Sequence, residues 1–328
     1  MKEKKLKSIQ GQETMFLESN SCIEILQDRA AMLKAVRQFF DERGVLEVDT
    51  PMLSPYPPID AHIDILSTET LKEKLGYFHS SPEYGMKKLL AKGLGDIFQL
   101  SHVFRKGEVG NIHQIEFMMI EWYRQNFSFQ KLIDETKNLI FLFLGSMPYE
   151  MIKYENVFKK TFKIDPFTIS LEDLNALCKK QGLCSPSDDR DTLLGFLWNI
   201  AEEDLGFDRL TCVTHFPASQ AALSQTFKEN QREYAARFEF YCEGIELANG
   251  YHELTDSIEQ KKRLMIENKK RESLGKEKLP LDEKFLLALE NLGDKEFFGV
   301  AVGFDRLMMI RHQKDGIEDI LPLGWSEM

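Results

Sequence analysis

Apolar and polar positions alternate along two neighbouring stretches, 97–105 and 115–123, which a polar, glycine-containing loop joins. This period of two predicts a pair of strands. One face of the first carries Ile97, Gln99, Ser101, Val103 and Arg105, and one face of the second carries Ile115, Phe117, Met119, Glu121 and Tyr123. Because a cation at Arg105 and an anion at Glu121 are costly to bury without partners, they suit a ligand with a carboxylate and an amine. The alternative is an ordinary antiparallel pair with a surface salt bridge.

The rest of the pattern mixes helices and strands. Residues 1–20 are polar and predict a flexible segment. Apolar spacing predicts helices over 27–42 (ended by Arg43-Gly44), 85–90, 129–144 (capped by Ser128), 154–162, 171–180 and 255–275. Strands are predicted at 45–51, ended by Pro51, and at 210–214. No chemistry is assigned to residues 146–208.

A second informative stretch is 237–254, where extended segments flank Asn249-Gly250. Asn-Gly predicts a two-residue hairpin turn, which would place Glu246 opposite Glu253. Like charges directly opposed are destabilising, unless a metal ion or an ammonium group lies between them. Glu239 would reach the same face through a bulge, for which Gly244 is the expected position. Without a ligand, these glutamates would be surface charges.

Near the carboxyl end, residues 297–306 predict a buried strand that turns into a helix. Gly299 and Gly303 permit close backbone approach to a flat ligand. Arg306 falls in the first turn of the helix, where a cation opposes the helix dipole. We therefore expect Arg306 to serve a ligand.

Composition narrows the function classes. The chain has 328 residues and a formal net charge of −11, so broad attraction to nucleic acid is not expected, although a local basic patch is possible. Its five cysteines lack zinc-site spacing and fit a reducing cytoplasm. The longest apolar run, 139–144, is far too short to span a membrane. The N-terminal residues have positive charge but no apolar core after them, so they do not predict a secretory signal. We expect a soluble, cytoplasmic protein.

Three segments together resemble the catalytic domain of class II aminoacyl-tRNA synthetases, specifically the lysyl branch. The helix-glycine-strand-proline unit ending at Pro51 resembles motif 1, 104–123 resembles motif 2, and 299–306 resembles motif 3, with ELANGYHEL between the last two. The resemblance implies an α+β fold with an antiparallel β-sheet flanked by helices. It also implies a catalytic domain over 21–328 and a homodimer formed through motif 1.

Within the lysyl branch the chain resembles the elongation factor P–lysine ligases more than the lysyl-tRNA synthetases; these ligases are paralogues that modify a protein lysine. SSPEYGMKKLL (80–90) and HFPASQAAL (215–223) resemble that family's segments, and Ala301 stands where synthetases generally have glycine. The first helix is predicted to start near residue 27, so we expect no room for an N-terminal anticodon-binding barrel. The resemblance implies a ligase that uses ATP to activate (R)-β-lysine or lysine and transfers it to elongation factor P.

The resemblance also implies roles for individual residues. Arg105 would hold the ATP α-phosphate and the substrate carboxylate, and Arg306 the γ-phosphate, as the catalytic cations. ATP would also be bound by Lys106, Gly107, Glu108, His113, Gln114, Glu246, Leu247 and Gly303. Lysine or β-lysine would be bound by Ser81, Pro82, Glu83, Glu121, Tyr123, Asn249, Glu253 and Ala301. Glu239 and Glu246 would coordinate Mg²⁺.

Two positions depart from the family pattern and keep alternatives open. Gly107 stands where motif 2 normally has a glutamate near the adenine amine, and Gln114 replaces an asparagine. Glu108 or a backbone carbonyl could take over the missing contact. One alternative is a truncated lysyl-tRNA synthetase-like ligase acting on tRNA or another acceptor, although tRNA is disfavoured by the charge of −11. The other is an inactive pseudo-synthetase that binds a ligand or partner.

Overall fold

A computed structural model describes residues 2–70 and 74–324, with side chains from residue 22 onward. The helices are α1 (Lys2–Asp41), α2 (Glu83–Ala91), α3 (Phe129–Leu144), α4 (Tyr154–Phe162), α5 (Leu171–Lys180), α6 (Arg190–Ala201), α7 (Ser257–Ser273), α8 (Glu283–Leu292) and α9 (Phe304–Arg311). The strands are β1 (Leu46–Glu47), β2 (Leu53–Ser54), β3 (Ser67–Glu69), β4 (Leu75–Phe78), β5 (Ile97–Phe104), β6 (Glu116–Gln125), β7 (Tyr149–Lys153), β8 (Leu210–Thr214), β9 (Thr226–Glu229), β10 (Arg232–Ala235), β11 (Arg237–Cys242), β12 (Ile245–His252) and β13 (Phe297–Gly303). The predicted start of the first helix near residue 27 is wrong, because α1 begins at Lys2. The flexible segment predicted over 1–20 and the division into 1–20 and 21–328 stay predictions.

An eight-stranded sheet in the order β1-β5-β6-β13-β12-β11-β8-β7 organises the molecule. Its six central strands are antiparallel to their neighbours, while β1 pairs in parallel with β5 and β7 with β8. The predicted α+β fold with a largely antiparallel sheet and flanking helices is confirmed. Among the described residues, no helix is long and apolar enough to cross a membrane.

One face of this sheet packs against helices. Trp122 of β6 is fully buried, and Phe40 of α1 stacks on Phe98 of β5 with ring centroids 4.4 Å apart. Phe143 of α3 and Phe304 of α9 join the same cluster. Full burial of side chains this large stabilises the fold by roughly 2 kcal/mol each. Because alternate residues point to opposite faces, the residues between them face the other side of the sheet.

Several predicted elements match the structure closely. The helix predicted over 129–144 is α3, and Ser128 caps it by accepting a hydrogen bond from the Lys131 amide. Those predicted at 154–162 and 171–180 are α4 and α5. The strand at 210–214 is β8. The strand predicted over 45–51 is shorter, because only Leu46 and Glu47 pair with β5.

The predicted hairpin turn at Asn249-Gly250 is wrong. The turn between β11 and β12 is Glu243-Gly244, both with positive φ, as a type I′ turn requires. Asn249 and Gly250 lie inside β12, so Glu246 does not face Glu253 and instead pairs with Tyr241. Gly250 is needed for packing, since a β-carbon there would overlap the Phe238 ring. An Asn-Gly pair can therefore mark close packing within a strand.

A bulge does bring Glu239 and Glu246 to one face, although it does not lie at Gly244. Phe240 pairs with Ala248 and Tyr241 with Glu246, so Leu247 is the extra residue. One extra residue reverses the side on which subsequent side chains emerge. Glu246 thereby joins Glu239 on the face opposite the helical core.

Helix α6 was not predicted, because its start lies in the polar segment 184–191. Asp189 caps it, and Trp198 packs between Tyr154 and Phe216 in a second apolar cluster. This cluster holds α4, α5 and α6 against β7 and β8. Residues 146–208 thus add a helical layer to one end of the sheet.

We expect Gly250→Ala to destabilise the chain by about 1–3 kcal/mol, because its methyl group would displace Phe238 from a close-packed core. Thermal and urea unfolding would measure this. The matched control is Gly195→Ala in α6, where a β-carbon meets nothing within 4 Å. That change should be neutral or stabilising, since alanine favours a helix over glycine. Equal stability of the two variants would contradict the packing role of Gly250.

Candidate active site

A cavity of about 860 Å³ lies on the sheet face opposite the α1, α3 and α9 core. Most of the predicted site residues line it: Ser81, Glu83, Arg105, His113, Gln114, Glu121, Tyr123, Glu239, Glu246, Leu247, Asn249, Glu253, Ala301, Gly303 and Arg306. Pro82, Lys106, Gly107 and Glu108 do not line it. The cavity extends beyond these residues to α6 and α7, including Trp198 and Arg263.

The acidic end of the cavity is built around Glu121 at the centre of β6. Its side chain is 2% exposed, and its two oxygens accept hydrogen bonds of 2.7 Å from the Ser81 and Tyr123 hydroxyl groups. Burial raises the pKa of Glu121 to about 7, and the nearby Glu83 carboxylate adds to the effect. A cationic group brought into this end would restore the charged form.

Lys87 connects two further carboxylates to this end. It is 1% exposed, and its Nζ lies 2.5 Å from Glu83 Oε1 and 2.6 Å from Glu253 Oε2. Burial opposes its charge, but Glu253 and Glu83 more than compensate and raise the pKa of Lys87. Sequence reasoning missed this residue, although Glu83 and Lys87 have the i,i+4 spacing of a helical ion pair.

The floor of the acidic end is β13, whose small residues leave room for larger side chains beside it. A β-carbon at Gly299 would overlap both the Glu253 carboxylate and the Tyr123 ring. Ala301 pairs with Glu121 of β6 on one side and Asn249 of β12 on the other. The Ala301 methyl group therefore stands in the row that carries these polar side chains.

The opposite end of the cavity is cationic. Arg105 follows β5, and its guanidinium lies over the Phe117 ring at 5.1 Å. Its nearest anionic partner is Glu108 at 3.7 Å, and its buried Nε has no hydrogen-bond partner. An unpaired buried donor costs about 1–3 kcal/mol, which an anionic ligand would offset.

Arg306, in the first turn of α9, joins the motif 2 loop to β12. Its guanidinium donates to the Glu246 carbonyl at 2.8 Å, and it lies 2.8 Å from His113 Nε2. Burial and the Arg306 charge lower the pKa of His113, which favours a neutral ring that accepts the bond. Gln114 donates to Glu318 Oε1 at 2.9 Å.

Carboxylates crowd around Tyr241 near this end. Glu239 accepts hydrogen bonds from Arg237 and Tyr241, and the Tyr241 hydroxyl oxygen also lies 3.2 Å from Glu202 Oε2. Burial raises the pKa of Glu202 to about 7, with Glu246 and Glu239 adding repulsion. Arg237 and Tyr241 were missed although they alternate with Glu239 along β11, a signal that the sequence does carry. Glu202 was missed because it belongs to a segment distant in sequence.

These carboxylates fit a hard divalent cation, because it would relieve the repulsion between Glu239, Glu246 and Glu202. Within the described ranges, no group of three or more acidic, histidine or cysteine side chains could hold a metal by itself. Mg²⁺ commonly binds through one or two carboxylates together with substrate phosphates. The donor set therefore suits a cation delivered with a polyphosphate.

We expect Glu121→Gln to stabilise the unliganded chain at about pH 8 and to have little effect at about pH 4.5. The folded-state pKa of about 7 lies above the ordinary 4.5, so wild-type stability falls as pH rises between these values. The gain should be on the order of 1–3 kcal/mol, measured by urea unfolding across the pH range. Glu116→Gln, on the same strand but 53% exposed, is the matched control and should not change this dependence. A destabilised Glu121→Gln at about pH 8 would contradict the assignment.

Comparisons with known proteins place this site in a family. Residues 8–325 match the family described as tRNA synthetases class II (D, K and N). A Haemophilus influenzae (strain PittGG) protein named elongation factor P–(R)-β-lysine ligase is 44% identical over 306 residues, covering 91% of this chain and 94% of the relative. A protein of that name from Avibacterium paragallinarum is 44% identical and covers 91% of this chain and 94% of its own length. Another from Pasteurella multocida is 41% identical and covers 93% of this chain and 96% of its own length. The predicted resemblance is confirmed, and the chain belongs to the class II tRNA synthetase family.

Proposed function

We propose that this protein uses ATP to activate (R)-β-lysine or lysine as an aminoacyl-adenylate and transfers it to a lysine ε-amine of elongation factor P. The observation that carries the proposal is one cavity with three carboxylates at one end and an unpaired buried donor, Arg105 Nε, at the other. Two of these carboxylates, Glu121 and Glu253, are 2% exposed, and the side chain of Glu83 is 13% exposed. The relatives named for this reaction, at 41–44% identity, support the acceptor. Elongation factor P as the acceptor also favours a cytoplasmic location.

The sheet separates the two ends of the site. Paired residues place Glu121, Ala301, Asn249 and Glu239 in one row across β6, β13, β12 and β11. At about 4.8 Å per strand, the Cα atoms of Glu121 and Glu239 are roughly 14 Å apart. This row is the width of the cavity floor, whereas Arg105 lies along the strand direction, beyond Gln99, which pairs with Glu121. An extended amino acid would run in that direction, with its ammonium groups near Glu121 and its carboxylate directed toward Arg105.

The activation step requires no nucleophile from the protein. A carboxylate oxygen of the amino acid attacks the α-phosphorus of ATP, the bond to the β-phosphate oxygen breaks, and diphosphate leaves. Arg105 would stabilise the charge on the α-phosphate and Arg306 that on the γ-phosphate. The acceptor amine then attacks the adenylate carbonyl, loses a proton and releases AMP.

We also propose that Glu239 and Glu246 hold Mg²⁺. When bound, the ion would neutralise phosphate charge and orient the triphosphate. Glu239 is currently held by Arg237 and Tyr241, so these two residues would orient the carboxylate toward the cation.

A homodimer through the motif 1 segment is a further part of the proposal. What supports it is a group of apolar side chains at least 40% exposed: Ile23, Leu46, Met52 and Leu53. Exposed apolar patches are a feature of protein interfaces, and three of these four side chains fall within residues 46–53.

We expect wild-type protein to catalyse amino-acid-dependent exchange of diphosphate into ATP with lysine or (R)-β-lysine. Arg105→Ala should reduce the rate by about 10²–10³-fold, because it removes a preorganised cation. Arg209→Ala, a 40% exposed arginine paired with Asp208, is the matched control and should retain activity.

The acceptor is tested by labelling after exchange is established. Transfer to elongation factor P, and none to tRNA, is the expected result. Label on tRNA alone would favour the truncated synthetase, and absence of exchange with any amine-bearing amino acid would favour the pseudo-synthetase.

We expect a mass in solution twice that of one chain, and the double change Leu46→Glu with Leu53→Glu should shift it to the monomer, because two charges would enter an apolar interface. Sedimentation equilibrium at micromolar concentration would measure this. Phe207→Glu, at a 67% exposed apolar position outside the motif 1 segment, is the control. A strictly monomeric wild-type protein would refute the dimer.

A further inference from the structure

Lys87 lies behind the cavity wall and does not border the cavity. Its ammonium reaches the site through Glu83 and Glu253, which do. The neighbouring Lys88 makes a comparable pair with the buried Asp282 of the α8 cap, outside the cavity lining. The two adjacent lysines therefore serve different carboxylates, and only those of Lys87 face the site.

The charges at this end do not balance within the protein. Glu83, Glu121 and Glu253 offer three carboxylates, and Lys87 is the ammonium that contacts two of them. Glu121 is held by the hydroxyl groups of Ser81 and Tyr123, which are neutral. If all three acids are ionised, two negative charges remain, and buried charge requires a counter-charge.

Lys87 also determines which oxygens are free. It takes Oε1 of Glu83 and Oε2 of Glu253. The remaining Glu253 oxygen, Oε1, lies against Gly299 on the cavity floor, where a β-carbon would overlap it. The fixed lysine thus holds Oε2 of Glu253 away from the cavity and leaves Oε1 beside Gly299, which borders the cavity.

We propose that Lys87 is a positioning residue that sets this pocket to accept an amino acid with two ammonium groups. Three carboxylates are balanced by Lys87 together with two ligand ammonium groups, whereas an amino acid with one ammonium leaves a buried negative charge. This inference rests on the proposed function, since it assumes that the pocket binds the amino acid to be activated. It goes further by assigning selectivity for diamino acids to a residue that does not touch the substrate.

The test is diphosphate exchange by Lys87→Met, with lysine and (R)-β-lysine, across about pH 6 to 9. Without Lys87 the pocket and a doubly charged ligand retain one excess negative charge, so binding requires proton uptake. We expect KM to rise by about 10–100-fold near neutral pH and to increase further as pH rises, with kcat changed much less. The wild-type KM should not rise with pH over this range, because ligand binding below about pH 7 releases a proton from Glu121 and takes none up.

Two further variants separate positioning from folding. Lys88→Met removes a lysine from an equally buried carboxylate outside the cavity, so it should lower stability and leave the KM profile unchanged. Lys87→Met with Glu253→Gln restores the charge count, and its KM should lose the pH dependence. This double variant also provides the test if Lys87→Met does not fold.

A KM for Lys87→Met that is flat with pH and within about threefold of wild type would overturn the inference, as would an unchanged pH dependence in the double variant. Failure of the proposed function gives a different result, because wild-type protein would then show no exchange with any amine-bearing amino acid.

Discussion

The meeting of three carboxylates, two of them buried, beside one face of the central sheet is the constraint on which the site depends. Glu121 and Glu253 are each 2% exposed, and burial favours their neutral forms. Their charge is sustained by one internal ammonium, that of Lys87, and by hydroxyl groups. Segments distant in sequence must therefore bring these side chains together. Gly299 permits this, because a β-carbon there would overlap Glu253 and Tyr123.

The bulge at Leu247 serves the other end of the same face. It places Glu246 beside Glu239, while the Glu246 carbonyl accepts from Arg306. A strand without the extra residue would direct the Glu246 side chain into the helical core, where no partner could offset an ionised carboxylate. The register of one hairpin thus decides whether two acids converge on a cation-binding position.

Sequence reasoning worked where a local physical rule acts alone. Ser128 predicted the start of α3, and alternation along β6 correctly separated the Glu121 face from the Trp122 face. It failed where one sequence pattern has two physical explanations. Asn249-Gly250 is typical of a hairpin turn, but here it lies within β12, where Gly250 packs against Phe238. Lys87 was missed for another reason. Its second partner, Glu253, is so distant in sequence that no local pattern connects the two residues.

The separation of charge along the sheet also restricts ligand orientation. Carboxylates surround Glu121, and Arg105 with Arg306 lies toward the end where the motif 2 loop meets α9. A zwitterionic ligand placed in reverse would bring like charges together in a buried site, where the repulsion is much stronger than in water. One orientation is favoured before any specific hydrogen bond forms, and it directs the ligand carboxylate toward Arg105, whose Nε has no other partner. The same electrostatic arrangement that makes the empty pocket costly therefore orients the group that must react.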